Sequence, residues 1–145
     1  MTVIPEMTPE KYTMSNLSPS VAEFAGLREK IGWGQTDKAM AATSLANSLF
    51  HVLLRDQDKL IAMGRVIGDG AMFFYIQDVI VDPDYQQQGL GHIIMKQIES
   101  YLLTAAKTGA TVGLLAARGK EGFYRRYGYR DRCGETLGLG MCKFV

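Results

Sequence analysis

The sequence predicts an α/β (α+β) fold: one mixed, mostly antiparallel central sheet flanked by helices on both faces. Three observations carry that prediction. The stretches "HVLLRD", "LIAMGRVIG" and "MFFYIQDVIV" follow one another across short turns, as in an antiparallel meander. A run from about Gly89 to Lys107 then sets Leu90, Ile93, Ile94, Ile98, Leu102 and Ala105 at helical spacing. The apolar "TVGLLAA" comes next, which completes a strand–helix–strand crossover.

The elements read in order as follows. Residues 1–10, with two prolines, form a loose tail, and a single domain spans 1–145. "KYTMSN" is a short first strand. In "SPSVAEFAGLREKIGW", Ser18 caps a helix and Pro19 takes its first position. Leu17, Val21, Phe24, Leu27 and Ile31 recur at helical spacing, and Gly32 and Gly34 end the run. "TDKAMAATSLANSLF" is a second helix, capped by Thr36 or Asp37, with Met40, Leu45 and Leu49 on its apolar face. The meander follows. Its third strand is nearly all apolar, so both faces are buried, and Asp78 in its middle is out of place. Asp82, Pro83 and Asp84 end that strand. After the crossover, "RGKEGFYRRYGY" is a short helix ended by Gly128, "DRCGETLGLG" is a loop, and "MCKFV" is a closing strand.

Composition narrows the function. Hydrophobic residues make up 47% and charged residues 21%, the balance of a soluble domain with a sizeable core. A formal net charge of +1 gives no field of one sign, so nucleic acid is not an expected partner. Cys133 and Cys142 have no metal-ligand spacing with His51 or His92, and no metal is expected. The start "MTVIPEMTPEKY" lacks a basic region and an apolar run, and no stretch approaches a membrane span, so the expected location is cytoplasmic, away from the membrane.

The chemistry centres on "DYQQQGLGHII", where two glycines sit at a strand-to-helix junction. Such a helix start points unpaired N–H groups outward and suits phosphate. The spacing does not fit the dinucleotide G-x-G-x-x-G fingerprint, and no Gly-Lys-Ser/Thr marks a nucleotide triphosphate loop. With Gln86-x-x-Gly89-x-Gly91 opening the central helix, the chain resembles the GCN5-related N-acetyltransferase superfamily, whose fold is that of the acyl-CoA N-acyltransferases. The resemblance runs from the first strand to "GMCKF" and is strongest in "QDVIVDPDYQQQGLG" and "GFYRRYGY". It implies that Gln86, Gln87, Gln88, Gly89, Leu90 and Gly91 wrap the pyrophosphate of acetyl-coenzyme A (acetyl-CoA), with Gly89 permitting the tight wrap and Leu90 turned to the core. It further implies that the backbone at Val79 and Val81 pairs with the pantetheine arm, in a gap where "TVGLLAA" splays away.

The same resemblance implies N-acetylation of a small-molecule amine by direct attack in a ternary complex; a protein N-terminus or lysine, and a non-catalytic acyl-CoA-binding module, are the alternatives. Tyr124 stands where many members carry the tyrosine that faces the thiol sulfur and also contacts the cofactor, and it is the expected general acid. Tyr127 is assigned to packing. Asp78 is the carboxylate expected to serve the amine; its competing reading is a buried brace. Gln77 replaces the first acid of a Glu-Asp pair found in one subset, and an amide cannot be a base. The acceptor is expected at the first two helices and their loop, with Arg28, Trp33, Tyr75 and Gln77 as contacts and Arg28, Glu29, Asp37 and Asp69 selecting charge. Lys120, Arg125 and Arg126 are candidates for the cofactor's phosphates. Arg118–Glu121 offers no match to a cofactor-contacting Asn of many relatives. A pair of histidines found in vertebrate aromatic-amine enzymes is absent, with Tyr75 and Gln77 in that region. Cys133 and Cys142 lack a neighbouring base and are poor nucleophiles. Homodimers are common in the family, and "MCKFV" is a plausible contact.

Overall fold

Local side-chain chemistry sets where each helix begins. In the computed structural model, which describes residues 11–145, the first strand β1 (Thr13–Ser15) leads to helix α1 (Val21–Lys30). The cap is Ser20, not Ser18. Glu23 N donates to Ser20 Oγ at 3.2 Å and Ser20 N donates to Glu23 Oε2 at 2.7 Å, so the Ser20/Glu23 capping box fixes the start two residues later than expected. Ser18 instead donates its hydroxyl to Pro19 O at 3.3 Å. Glu23 also accepts both arms of Arg55, at 2.7 and 2.8 Å, which ties α1 to the sheet and holds the Glu23 carboxyl below its usual range.

Helix α2 (Lys38–Ala46) is capped by Asp37, whose carboxylate accepts from Met40 N at 2.8 Å. It stops short of the expected end because Asn47 folds its amide back onto Thr43 O at 2.8 Å. Its buried face is Ala41 and Leu45; Met40, expected there, is exposed. The meander follows: β2 (Phe50–Asp56), β3 (Lys59–Gly68) and β4 (Phe73–Val81). Asp69 Oδ1 accepts the N–H groups of Ala71, Met72 and Phe73 and holds the β3–β4 turn, so it is committed to the fold rather than free to select charge. A single 3₁₀ turn (Pro83–Tyr85) precedes α3 (Leu90–Ala105) and β5 (Thr111–Leu114). Strand order is β1-β2-β3-β4-β5, antiparallel up to β4, with β5 parallel to β4.

The sheet carries a core on each face, as the periodicities required. On one face Phe24 and Leu27 of α1 and Ala41 and Leu45 of α2 pack with Leu53, Met63 and Ile80 of the sheet. On the other, α3 buries Leu90, Ile94, Met95, Ile98 and Leu102. Burial of each such side chain contributes about 1.5–3 kcal/mol. Close approach of α3 depends on Gly64 of β3: a Cβ there would lie 2.6 Å from Ile94 Cγ2 and 2.8 Å from Ile98 Cδ1.

The chain falls into two compact units; the first ends at Leu114 and the second is Leu115–Val145. The second unit holds α4 (Glu121–Arg125) and an aromatic group in which Phe123 meets Tyr124 and Tyr127 edge-on, at 5.1 and 5.6 Å between centroids. Arg125 pairs with Asp131 through two hydrogen bonds of 2.8 and 3.0 Å. The expected strand "MCKFV" is not formed: residues 141–145 make no ladder, and Met141 and Phe144 are exposed. β-Propensity makes a strand only when an edge is offered to it. For the same reason "TVGLLAA" is a strand only to Leu114, where its pairing with Ile76 ends.

His51 of β2 is buried, with Nε2 at 3.1 Å from Leu45 O and Nδ1 without a partner. Burial holds it below its ordinary 6.5, and the charge of Arg65 adds to this against the Leu45 carbonyl. The unfolded chain therefore takes up a proton near pH 6.5 that the folded chain refuses, so stability falls as pH drops below that value. Thermal unfolding should show Tm flat above pH 7 and declining below about 6.5, and His51→Gln should remove the upper part of that decline. Gly64→Ala should lower stability by about 1–3 kcal/mol in denaturant titrations, because the added methyl must displace Ile94 and Ile98.

Candidate active site

The site begins with a fault in β4. Met63 pairs with Ile80 but Arg65 pairs with Gln77, so β4 spends one residue more than β3 across this stretch. The extra residue is accommodated by Asp78, whose φ of 55° lies in the left-handed region that aspartate tolerates better than most side chains. A regular strand would send Gln77 and Asp78 to opposite faces. Here both turn toward α1 and α2: Gln77 Nε2 donates to Asp78 Oδ1 at 3.2 Å, and Tyr75 lies two residues before Gln77 on the same face.

Asp78 is 2% exposed and lies between two arginines. Arg28 Nη1 of α1 donates to Oδ1, and Arg65 Nε of β3 donates to Oδ2 at 2.8 Å. Arg65 is itself buried and braces α2 through Ser44 O at 3.2 Å and Ser48 Oγ at 3.0 Å. Phe24 presents its ring to both guanidinium groups, at 5.6 and 5.7 Å. Arg28 Nε donates to Thr36 Oγ1 at 3.3 Å, and its guanidinium lies 5.1 Å from the centroid of Trp33. Trp33 is 38% exposed, so it walls Arg28 and is not a core plug. Arg28, Trp33, Gln77 and Asp78 thus form one cluster.

The glutamine-glycine segment lies at the far end of β4. Gly89 takes φ 76° and is the N-cap of α3, with no side chain capping the helix. The first turn of α3 contains no acid, and Gly89 offers no side chain to cap its N–H groups. Gln87 also has a positive φ, of 64°. The flanking glutamines are tied back: Tyr12 OH donates to Gln88 Oε1 at 2.9 Å, and Gln86 Nε2 donates to Val81 O at 3.4 Å. Leu90 is buried, as expected. Along β4, Asp82 N donates to Ile61 O at 2.8 Å, so alternation turns the backbone of Val79 and Val81 toward the other edge. That edge pairs with β5 as far as Ile76, and among the described residues Gln77–Val81 have no ladder partner there.

Tyr124 belongs to the second unit, on α4, where its ring also meets Tyr129 edge-on at 6.5 Å. Arg125 of that unit is engaged by Asp131. Cys133 and Cys142 are exposed free thiols. Among the described residues no cluster of His, Cys, Asp and Glu could hold a metal ion, and no helix is long and apolar enough to cross a membrane. A cavity of about 270 Å³ between α1 and the β2–β3 turn is lined by residues such as Lys30 and Lys59, each of which pairs with Asp82. Sequence reasoning missed Arg65. Its signal was a lone arginine inside an apolar strand, one strand away from a lone aspartate in another.

Residues 15–142 match the acetyltransferase (GNAT) domain family. The chain is a member of that family. A soybean (Glycine max) relative named histone acetyltransferase TAP1 is 31% identical over 75% of this chain and 51% of its own length. An Arabidopsis thaliana relative, GCN5-related N-acetyltransferase 2, chloroplastic, is 29% identical over 75% of this chain and 49% of its own. The chain therefore spans about half the length of these two curated relatives. Among solved structures, a Staphylococcus aureus protein described as of unknown function and of acetyltransferase type has a TM-score of 0.82 at 31% identity, covering 91% of this chain and 99% of that one. A Streptococcus pneumoniae GNAT family protein has a TM-score of 0.73 at 28% identity, covering 92% and 98%.

Truncating Arg65 leaves Asp78 buried with one partner fewer. Arg65→Met should destabilise the protein by about 3–5 kcal/mol in chemical unfolding, the scale for breaking a buried ion pair. A loss below about 1 kcal/mol, the scale of an exposed pair, would show that the pair does not organise the site.

Proposed function

We propose that the protein is an acetyl-CoA-dependent N-acetyltransferase acting on the primary amine of a small molecule. The observation that carries this reading is the succession of an open β4 edge at Val79 and Val81 and a helix begun by left-handed Gly89 with an uncapped, acid-free first turn. These groups fit the cosubstrate: backbone N–H groups from Gln88 to Gly91 for its pyrophosphate, and Val79 and Val81 for its amide-bearing arm. When bound, acetyl-CoA supplies the activated acetyl group.

The chain's own residues then have three tasks. The acceptor must present a neutral amine, and a donor must meet the leaving thiolate. Asp78 is poorly suited to take the amine proton directly, because both its oxygens already accept hydrogen bonds from Arg28, Gln77 and Arg65. A bracing role for Asp78 follows, with the amine proton passing to water beside Gln77. Tyr124 is the proposed donor to the thiolate, on the strength of its place in "GFYRRYGY". Arg28 and Trp33 orient the acceptor. Transfer is direct, since neither exposed cysteine has a base beside it in sequence.

The soybean relative's name supports a second reading, in which the amine belongs to a protein. Calorimetric titration with acetyl-CoA and with desulfo-CoA should give saturable binding near one per chain, and acceptor panels should include small amines and lysine peptides. Tyr124→Phe should lower kcat about a hundredfold or more while leaving cosubstrate binding in place. No binding up to millimolar concentrations would overturn the proposal, and turnover of peptides alone would shift it to the second reading.

A further inference from the structure

The Arg28–Asp78–Arg65 cluster is not electrically balanced. Two guanidinium groups share one carboxylate, and among the described residues neither meets another acid. Arg65 gives Nη1 to Ser44 O and Ser48 Oγ, and its side chain is only 6% exposed, so it is enclosed by the protein. Arg28 is more open. Its Nη1 serves Asp78 and its Nε serves Thr36, while Nη2 has no partner among the described residues. Its side chain is 24% exposed, so this arginine is open to a ligand where Arg65 is not.

The guanidinium is also held in place before any ligand arrives. Phe24 and Trp33 bring their rings to 5.6 and 5.1 Å from it, and the loop carrying Trp33 is closed by Trp33 N donating to Arg28 O at 3.0 Å. A fixed guanidinium with one spare nitrogen, in a cluster of one net positive charge and beside an aromatic wall, suits a carboxylate. Its place beside Gln77 and the β4 bulge puts that receptor in the cluster assigned above to the acceptor. Resting on the acetyl-transfer reading, we propose that the acceptor is an amino-carboxylic acid, its carboxylate taken by Arg28 and its amine directed to the bulge of β4. A diamine or plain alkylamine would leave the excess positive charge uncompensated.

Trp33 is the chain's single tryptophan, so its fluorescence reports on this site whether or not acetyl transfer occurs. The test titrates the protein, saturated with desulfo-CoA, with β-alanine, 4-aminobutanoate and 6-aminohexanoate. Each is compared with the alkylamine of the same chain length, and with 1,6-diaminohexane. At least one aminocarboxylate should bind about tenfold or more tightly than its alkylamine, the scale of a charge-assisted hydrogen bond. In Arg28→Lys that ratio should collapse toward one, since lysine keeps the charge but lacks the planar group that serves Asp78, Thr36 and a carboxylate at once. Equal or tighter binding of alkylamines or the diamine by the wild-type protein would overturn the proposal, as would a ratio that survives in Arg28→Lys. So would binding confined to acidic peptides. The wild-type comparison stands even if the variant fails to fold. A loss of acetyl-CoA binding in calorimetry would instead count against the acetyl-transfer reading, which keeps the two failures apart.

Discussion

A carboxylate buried in the middle of an apolar strand needs cationic partners, and the rest of this molecule is arranged around supplying them. Asp78 draws Arg28 from α1 and Arg65 from β3. Arg65 in turn reaches the end of α2. Four elements are therefore tied to one side chain. The cost of desolvating three charges is large, and such a network adds little net stability against an apolar substitute. What it fixes is geometry: the bulge in β4, the orientation of Arg28 and the position of Gln77 all follow from where the charges must meet.

The bulge and the crossover make complementary contributions. The bulge re-aims side chains toward α1 and α2, while β5 stops pairing at Ile76 and, among the described residues, the rest of β4 has no ladder partner on that edge. In the proposed reading, one strand offers side chains to an acceptor and main chain to a cosubstrate. Gly64 lets α3 settle against the opposite face at the level of the bulge, and α3 begins where the strand's free edge ends. Packing and binding are consequently set by the same few residues.

Much of this was legible in the sequence, and the exceptions have physical reasons. The meander, the crossover helix and the glycine junction could be read because turns, periodicity and left-handed glycine are local signals. The start of α1 could have been read better: Ser20 and Glu23 stand in the capping-box spacing, and the competing Ser18-Pro19 signal masked it. The closing strand at 141–145 was misread because its propensity is local while a pairing edge is not. Asp78 was visible as an anomaly, but its partners were not, because Arg28 and Arg65 are joined to it only through tertiary folding. Arg65 was passed over altogether for that reason. The compartment was not settled by sequence: the Arabidopsis relative carries a chloroplast name.

Strand order has a consequence for how the chain reaches this state. β1 through β4 are neighbours both in sequence and in space, apart from the two helices between β1 and β2, so β2–β3–β4 can close through short loops at small entropic cost. β5 can join only after sixteen residues of α3 have formed and crossed the sheet. Local contacts form fast and distant ones slowly. The expected order of assembly is therefore hairpins first and β5 last. A chain emerging from the ribosome would hold its charged cluster before its sheet was complete.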